Sequence, residues 1–219
     1  MRGLKTIKLA PGVTFFVGEN GSGKSTLLEA IAVAWGFNPE GGSRNFSFGT
    51  RASHSDLHRY LKLARSPYRP RDGYFLRAES LFTVATEIER LDSGGGGPSI
   101  IDSYGGVSLH EQSHGESFLS LITHRFRGQG FYVLDEPEAA LSPMRQLAML
   151  CRIFDLVRLG SQFVIATHSP LLLAYPGATL LEIAASGLRR TTYEETDHYR
   201  VAKGFLDNPG GMLDVLLSD

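Results

Sequence analysis

The chain of 219 residues contains a single cysteine, Cys151. One cysteine cannot form an intramolecular disulfide, and it cannot build a structural zinc site with other cysteines. Disulfide-stabilised secreted domains and cysteine-rich zinc modules are therefore excluded as classes. Such a chain is typical of a reducing compartment, and we expect a cytoplasmic protein.

Long apolar segments and an excess of charge are also missing. The longest mainly apolar run, residues 30–37, is about half of what a membrane-spanning helix needs, and residues 1–6 lack the apolar core of a secretory signal. Lysine and arginine total 22 against 23 acidic residues, so overall charge cannot hold the chain on nucleic acid. We expect no membrane insertion.

What the sequence does have is the pattern of an α/β protein in one domain, residues 1–219. Strand-like and helix-like segments alternate along it. Residues 4–9 alternate apolar with polar side chains, and residues 179–193 predict a hairpin that turns at Ser186 and Gly187. Buried strands are predicted at residues 13–17, 131–134 and 163–166, and a further strand at 74–77. Helices are predicted at 24–35, 79–91, 116–126, 143–159 and in a closing segment broken at 209–211.

A phosphate-binding pattern follows the first of these strands. Residues 18–25 read Gly-Glu-Asn-Gly-Ser-Gly-Lys-Ser and match G-x-x-x-x-G-K-[ST] between a strand and a helix. Backbone N–H groups at a helix N-terminus can surround a triphosphate, and glycines let the backbone approach it closely. We expect Lys24 to reach the β- and γ-phosphates, Ser25 to bind Mg²⁺ and Thr26 to bond the α-phosphate. The other nucleotide contacts are predicted at Gly18, Asn20, Gly21, Ser22 and Gly23. A glycine-rich turn that binds nothing is the alternative.

Two further strands end in polar residues. Residues 131–134 run into Asp135 and Glu136, and residues 163–166 run into a segment that contains His168. In open α/β sheets ligands bind at the carboxyl ends of the strands. We expect Asp135 to hold the Mg²⁺, Glu136 to polarise the attacking water and His168 to contact the γ-phosphate. Two solvated acids and a capping or core histidine are the alternatives.

These motifs together resemble ABC-type ATPases over about residues 13–170. The P-loop, the strand ending at Asp135, residues 138–143 and His168 follow the order Walker A, Walker B, D-loop and switch histidine. Residues 112–116 resemble a variant signature motif that keeps Ser113 and Gly115. The resemblance implies a P-loop NTPase fold of the ABC type, with a mostly parallel sheet, an antiparallel edge lobe near the N-terminus and a small helical lobe at about 79–127. It also implies a homodimer formed on ATP binding, in which Ser113 and Gly115 close on the γ-phosphate of the other copy.

The spacing of the motifs favours one branch of this family. Residues 27–111 contain no glutamine, whereas transporter ATPases carry one there, and Glu79 is the candidate for that position. The looser signature is similar to that of the SMC, RecF and repair-type branch. The interval between Ser25 and Ser113 leaves no room for a long coiled coil, and the residues after His168 leave no space for the nuclease domain of OLD-type members. We expect a small stand-alone head.

Three other interpretations remain. His110, His114 and Glu138 fit H-E-x-x-H with a distant third ligand and thus a zinc hydrolase, although glycines interrupt the helix that this needs. Residues 51–71 are basic and include Arg51 and Tyr68. They can form a solvated charged face or a contact with nucleic acid, or Arg51 can act on the γ-phosphate bound by the other copy.

Three functions also remain open for the protein. It can hydrolyse ATP slowly and use the closing of the dimer, or it can be the ATPase subunit of a DNA-repair-like or transporter-like assembly with a further protein partner. It can also be a nucleotide-dependent binding module with negligible turnover.

Overall fold

The computed structural model describes residues 6–44, 55–67, 69–94 and 99–218. Within these ranges lie six strands: β1 (Val13–Val17), β2 (Asp72–Arg77), β3 (Gly130–Asp135), β4 (Gln162–Ala166), β5 (Thr179–Ala184) and β6 (Gly187–Thr191). They form one sheet of order β2-β3-β4-β1-β5-β6, in which only β6 is antiparallel to its neighbour. The α/β fold with a mostly parallel sheet is confirmed.

Seven α-helices accompany the sheet in the described ranges: α1 (Lys24–Trp35), α2 (Leu81–Ser93), α3 (His114–Ser120), α4 (Pro143–Arg158), α5 (Pro170–Leu173), α6 (Asp197–Asp207) and α7 (Pro209–Leu217). The bounds predicted for α1 are confirmed, because Gly23 and Gly36 both adopt left-handed conformations at its ends. The helix predicted at 116–126 is shorter than expected, since after Ser120 the backbone continues as a π-helical turn, Leu121–Arg125.

The core lies on both faces of the sheet, which explains why the central strands are continuously apolar rather than alternating. Along β1, Phe15 faces a cluster that includes Met149 and Ile153 of α4. The next residue, Phe16, faces the opposite cluster with Leu28 of α1. Successive side chains of a strand point to opposite faces of the sheet, so both phenylalanines are buried, one in each cluster. The sheet is thereby fixed between α1 on one side and the remaining core helices on the other.

The antiparallel edge lies elsewhere than expected. The resemblance implied an antiparallel lobe near the N-terminus, but residues 6–9, the described part of the alternating segment 4–9, form no strand. Ala10 donates its N–H to Thr14 Oγ1 at 2.9 Å, and Pro11 has no N–H to continue a ladder. The antiparallel pair is instead the predicted C-terminal hairpin, with Ala184 opposite Gly187.

The chain ends in a two-helix arm formed by α6 and α7. The predicted break in the last helix is confirmed, since Asn208 separates the two helices and caps α7 by accepting the N–H of Gly211 at 3.1 Å. None of the arm's side chains is buried, and it exposes apolar residues such as Leu206 and Leu216. Among the described helices, including this arm, none has the length and apolar character that crossing a bilayer requires.

Candidate functional site

The loop between β1 and α1 adopts a conformation that needs its glycines. Gly18, Gly21 and Gly23 have φ angles of 146°, 77° and 94°, a region that side chains with a Cβ atom rarely enter. At Gly18 a Cβ atom would also lie 2.6 Å from the carbonyl oxygen of Ile183 in β5. The loop therefore runs close to the neighbouring strand and enters α1 through Gly23. Because Gly23 has no side chain to cap the helix, it makes no side-chain hydrogen bond to the N–H groups of the first helical turn.

Lys24 begins α1 and is almost completely buried. Its Nζ donates to the carbonyl oxygens of Gly18 and Glu19, both at 2.9 Å, so the ammonium closes the loop on itself. Burial lowers the pKa of Lys24, while the charges of Glu136 and Asp135 act in the opposite direction. A cation held inside a ring of backbone groups, next to the start of a helix, suits a polyphosphate. Thr26, two residues further along α1, is exposed.

Asp135 is the last residue of β3 and lies beside α1. The Ser25 side chain hydrogen-bonds to this carboxylate, and Arg77 Nε is 3.9 Å from Oδ2. Burial raises the pKa of Asp135 to about 6, against the opposing effects of Ser25 and Arg77. The other oxygen, Oδ1, is buried and has no hydrogen-bond partner among the described residues. A buried, unpartnered carboxylate oxygen next to a hydroxyl is the donor set that Mg²⁺ prefers when phosphates complete its shell.

Glu136 follows with a left-handed backbone, φ 49° and ψ 53°, which is strained for a residue with a side chain. Its N–H donates to the carbonyl oxygen of Ala166 at 3.0 Å, which ties the strained residue to the end of β4. The half-exposed side chain places Oε1 at 3.6 Å from His168 Nε2. Glu136 and His168, two of the predicted catalytic residues, therefore lie next to each other at the carboxyl edge of the sheet.

We expect this strain to be measurable. The variant Glu136→Gly should be more stable than Glu136→Ala by about 1 kcal/mol, because glycine enters the left-handed region without a Cβ penalty. Urea unfolding of both variants checks this. The same pair of substitutions at Gln129, also left-handed with φ 57°, serves as the matched control outside the site. An alanine variant at residue 136 as stable as the glycine variant would contradict the strain.

His168 is held from several directions. Its backbone N–H donates to Glu138 Oε1 at 2.5 Å, and its Nδ1 is 3.0 Å from Nε2 of His198. Burial lowers the pKa of His168 and Lys24 acts in the same direction, whereas Glu136 acts against them. A neutral imidazole at this edge can donate one N–H to an anionic ligand.

Three residues of this site were missed from the sequence: Arg77, Glu138 as a partner of His168, and His198. Arg77 ends β2 opposite Asp135 and also pairs with Glu29 and Glu79. The strand predicted at 74–77 could have indicated Arg77 as a site residue, because it ends beside the strand that ends in Asp135. His198 is 30 residues beyond His168 in the sequence, and no local pattern marks it.

A cavity of about 960 Å³ opens beside the loop. Gly18, Asn20, Gly21 and Ser22 line it, and so does His168. The tip of the β5–β6 hairpin and the first turns of α6 form the other walls. The buried hydroxyl of Ser22 has no hydrogen-bond partner among the described residues.

Two family models match the chain. One, an AAA domain, matches residues 2–102. The other, an AAA domain whose description also names the AbiEii toxin and a type IV TA system, matches residues 100–174. No curated protein is detectably similar to the chain.

Solved structures of low identity align with most of the chain. The SMC head domain from Thermotoga maritima is 15% identical, covering 85% of this chain and 92% of that chain with a TM-score of 0.45. An SMC head bound to the C-winged helix domain of ScpA is 12% identical, covering 84% and 91%, with a TM-score of 0.47. A structure described as a metal-chelate type ABC transporter is 18% identical, covering 88% and 78%, with a TM-score of 0.46.

The P-loop lies between β1 and α1, and the two AAA models together match residues 2–174. The motif, its place in the fold and the family models therefore indicate the same kind of domain. Over these residues the chain is similar to AAA domains, and it resembles the P-loop ATPases.

The segment that resembles a signature motif in this P-loop domain lies away from the P-loop cavity. Ser113 caps α3, its hydroxyl donating to Glu116 Oε2 at 2.7 Å, and neither Ser113 nor Gly115 lines the cavity. A Cβ atom at Gly115 would lie 2.8 Å from the carbonyl oxygen of Ala140, so the glycine allows α3 to approach the turn after β3. The structure does not bring these two residues to the P-loop of the same chain.

The zinc-hydrolase interpretation was wrong. The helix begins only at His114, so His110 precedes it, and His110 Nε2 is 3.1 Å from Thr86 Oγ1. Glu138 accepts the N–H of His168 instead. In the described ranges no group of three or more histidine, cysteine or acidic side chains could hold a metal ion.

The basic stretch at 51–71 is only partly described, and Arg51 and Tyr68 lie outside the described residues. Of its other cations, Arg59 pairs with Asp56 at 3.3 Å. The Arg65 guanidinium stacks 4.4 Å from the centre of the Trp35 ring. Contact with nucleic acid through this stretch stays a prediction.

Proposed function

We propose that the chain binds MgATP at the P-loop and hydrolyses it to ADP and phosphate. The observation that carries the proposal is the unpartnered, buried Oδ1 of Asp135 beside the hydroxyl of Ser25, at the start of the helix that the P-loop opens. Residues 18–26 would surround the phosphates with backbone N–H groups, and Lys24 would exchange its contacts with Gly18 and Glu19 for phosphate oxygens.

The site residues divide the chemistry between them. Ser25 and Asp135 would hold Mg²⁺, which neutralises charge on the phosphates when bound. Glu136 would accept a proton from the attacking water, and its half-exposed carboxylate is accessible to one. His168 would donate Nε2–H to an oxygen of the γ-phosphate, since this atom points toward the Glu136 side of the site.

The proposed working form is a homodimer that closes on ATP. Ser113 and Gly115 lie at the N-terminus of α3, outside the cavity of their own chain. This arrangement supports a role for them at the P-loop of a second copy, where a helix N-terminus can bind the γ-phosphate. The expected output is the closing motion.

The pKa of Asp135 leads to a test. Magnesium needs the ionised carboxylate, so Mg²⁺-dependent ATP binding should strengthen as the pH rises through about 6 and level off above it. Below that value we expect affinity to fall about tenfold for each pH unit. Calorimetric titration of ATP with Mg²⁺ or with EDTA, between pH 5 and pH 8, measures this dependence.

The variant Asp135→Asn is the control, because it retains the titration of ATP itself while lacking the carboxylate. The pH dependence of the wild-type chain should exceed that of the variant. If ATP binds equally well with Mg²⁺ and with EDTA at pH 7.5, the proposed magnesium site is wrong.

A further inference from the structure

The start of the C-terminal arm is joined to the nucleotide site by two histidines. His198 lies in the first turn of α6, and its Nε2 is 3.0 Å from His168 Nδ1. Helix α6 cannot easily shift at this end, because the buried Thr196 caps it by accepting the N–H of Tyr199 at 3.3 Å. His198 also lines the cavity beside the P-loop.

Both imidazoles are neutral near pH 7.5. Burial lowers the pKa of each, and the Lys24 ammonium of α1 acts in the same direction on both. The charged groups that oppose this are Glu136 at the end of β3, Glu138 in the turn after it, and Asp197 on α6. Between two neutral imidazoles one nitrogen donates and the other accepts, so the hydrogen bond has a direction.

The other nitrogen of His168 favours one of the two directions, and the hydrogen bond with His198 then fixes it. His168 Nε2 is 3.6 Å from Glu136 Oε1 and has no hydrogen-bond partner within the described ranges. A bare nitrogen lone pair facing a carboxylate is repelled, whereas an N–H facing it is attracted. His168 therefore carries its proton on Nε2, and its Nδ1 must accept from Nε2–H of His198.

We propose that His198 is a positioning residue, which donates Nε2–H to His168 Nδ1 and so holds His168 with its own Nε2–H directed at Glu136 and the phosphate site. A histidine fixed in one tautomer needs no rearrangement before it donates to a ligand. The catalytic consequence rests on the proposed ATP hydrolysis, but the tautomer of His168 does not.

The tautomer can be measured directly in the nucleotide-free protein. Long-range ¹H–¹⁵N NMR spectra at pH 7.5 should show His168 of the wild-type chain with a protonated Nε2 and a bare Nδ1. In His198→Met, which has no N–H to donate, the Nδ1 signal should move toward the average of the two tautomers. His198→Gln, whose amide N–H can reach the same atom, should restore the wild-type signal. Lys203→Met, on the exposed side of the same helix, is the control.

A wild-type His168 protonated on Nδ1, or a His198→Met spectrum identical to that of the wild type, would overturn the proposal. In steady-state assays, His198→Met should lower kcat about tenfold or more with little change in KM, and His198→Gln should recover most of it. Equal loss in both variants would also count against a positioning role. A wild-type chain that hydrolyses no ATP would refute the proposed function, while the spectra still decide on His198.

Discussion

Replacing Glu136 by glutamine is expected to lower the ATP turnover rate by roughly 10² to 10⁴-fold, the usual contribution of a positioned general base. Glutamine keeps the size and left-handed backbone of Glu136 but cannot accept a proton from water. The Lys24, Ser25 and Asp135 contacts are unchanged, so ATP affinity should stay within a few-fold. Steady-state phosphate release and ATP titration measure the two effects.

The same substitution should reveal the dimer. If ATP closes two copies and hydrolysis reopens them, Glu136→Gln with MgATP should sediment at twice the 24.0 kDa of one chain. Glu19→Gln is the matched control, because Glu19 lies on the P-loop but provides only its backbone carbonyl to Lys24. Turnover equal to that of the wild type would show that Glu136 is not the base. A monomeric Glu136→Gln in saturating MgATP would contradict the sandwich.

Asp135→Asn is expected to abolish the Mg²⁺ dependence of ATP binding and, at the same time, to stabilise the fold. Burial raises the pKa of this carboxyl from 3.8 to about 6, so its ionised form costs the folded state free energy at neutral pH. The free energy of unfolding should rise by about 1–3 kcal/mol at pH 7.5, since one pKa unit corresponds to about 1.4 kcal/mol. Urea unfolding of the nucleotide-free chain measures it.

The pH dependence of this gain has a definite sign. The cost of ionisation is full above about pH 6 and fades toward pH 3.8, where Asp135 is protonated in both states. The advantage of the asparagine variant should therefore shrink between pH 7.5 and pH 5. Asp72→Asn is the control of opposite sign, because Asp72 accepts two hydrogen bonds from Arg125 at 2.8 and 3.0 Å and its loss should destabilise. A destabilised Asp135→Asn would contradict the cost assigned to this buried charge.

Much of the fold could be predicted because its signals are local. Continuous apolar runs marked β1, β3 and β4, since these strands are covered on both faces of the sheet. The left-handed glycines at 23 and 36 marked both ends of α1. The alternation in residues 4–9 did not predict the structure of residues 6–9, because alternation alone does not show whether a strand edge is available. The Pro11 that follows cannot extend a ladder.

The candidate site was predictable in part for the same reason. The P-loop is a continuous stretch of residues, and Asp135, Glu136 and His168 follow strands whose carboxyl ends share one edge. Arg77 obeys the same rule and could have been added. His198 could not, because it reaches His168 from α6, outside the parallel sheet.

The sequence alone determined the glycine-rich loop, the strand that ends in Asp135, the strand that leads to His168 and the helix that begins at Lys24. Each of these features depends on residues that lie only a few positions apart in the sequence. Only the tertiary structure decided the left-handed backbone of Glu136, the unpartnered oxygen of Asp135 and the contact between His168 and His198. These arise where separate elements meet, and burial and distance between distant segments are set by packing rather than by local sequence.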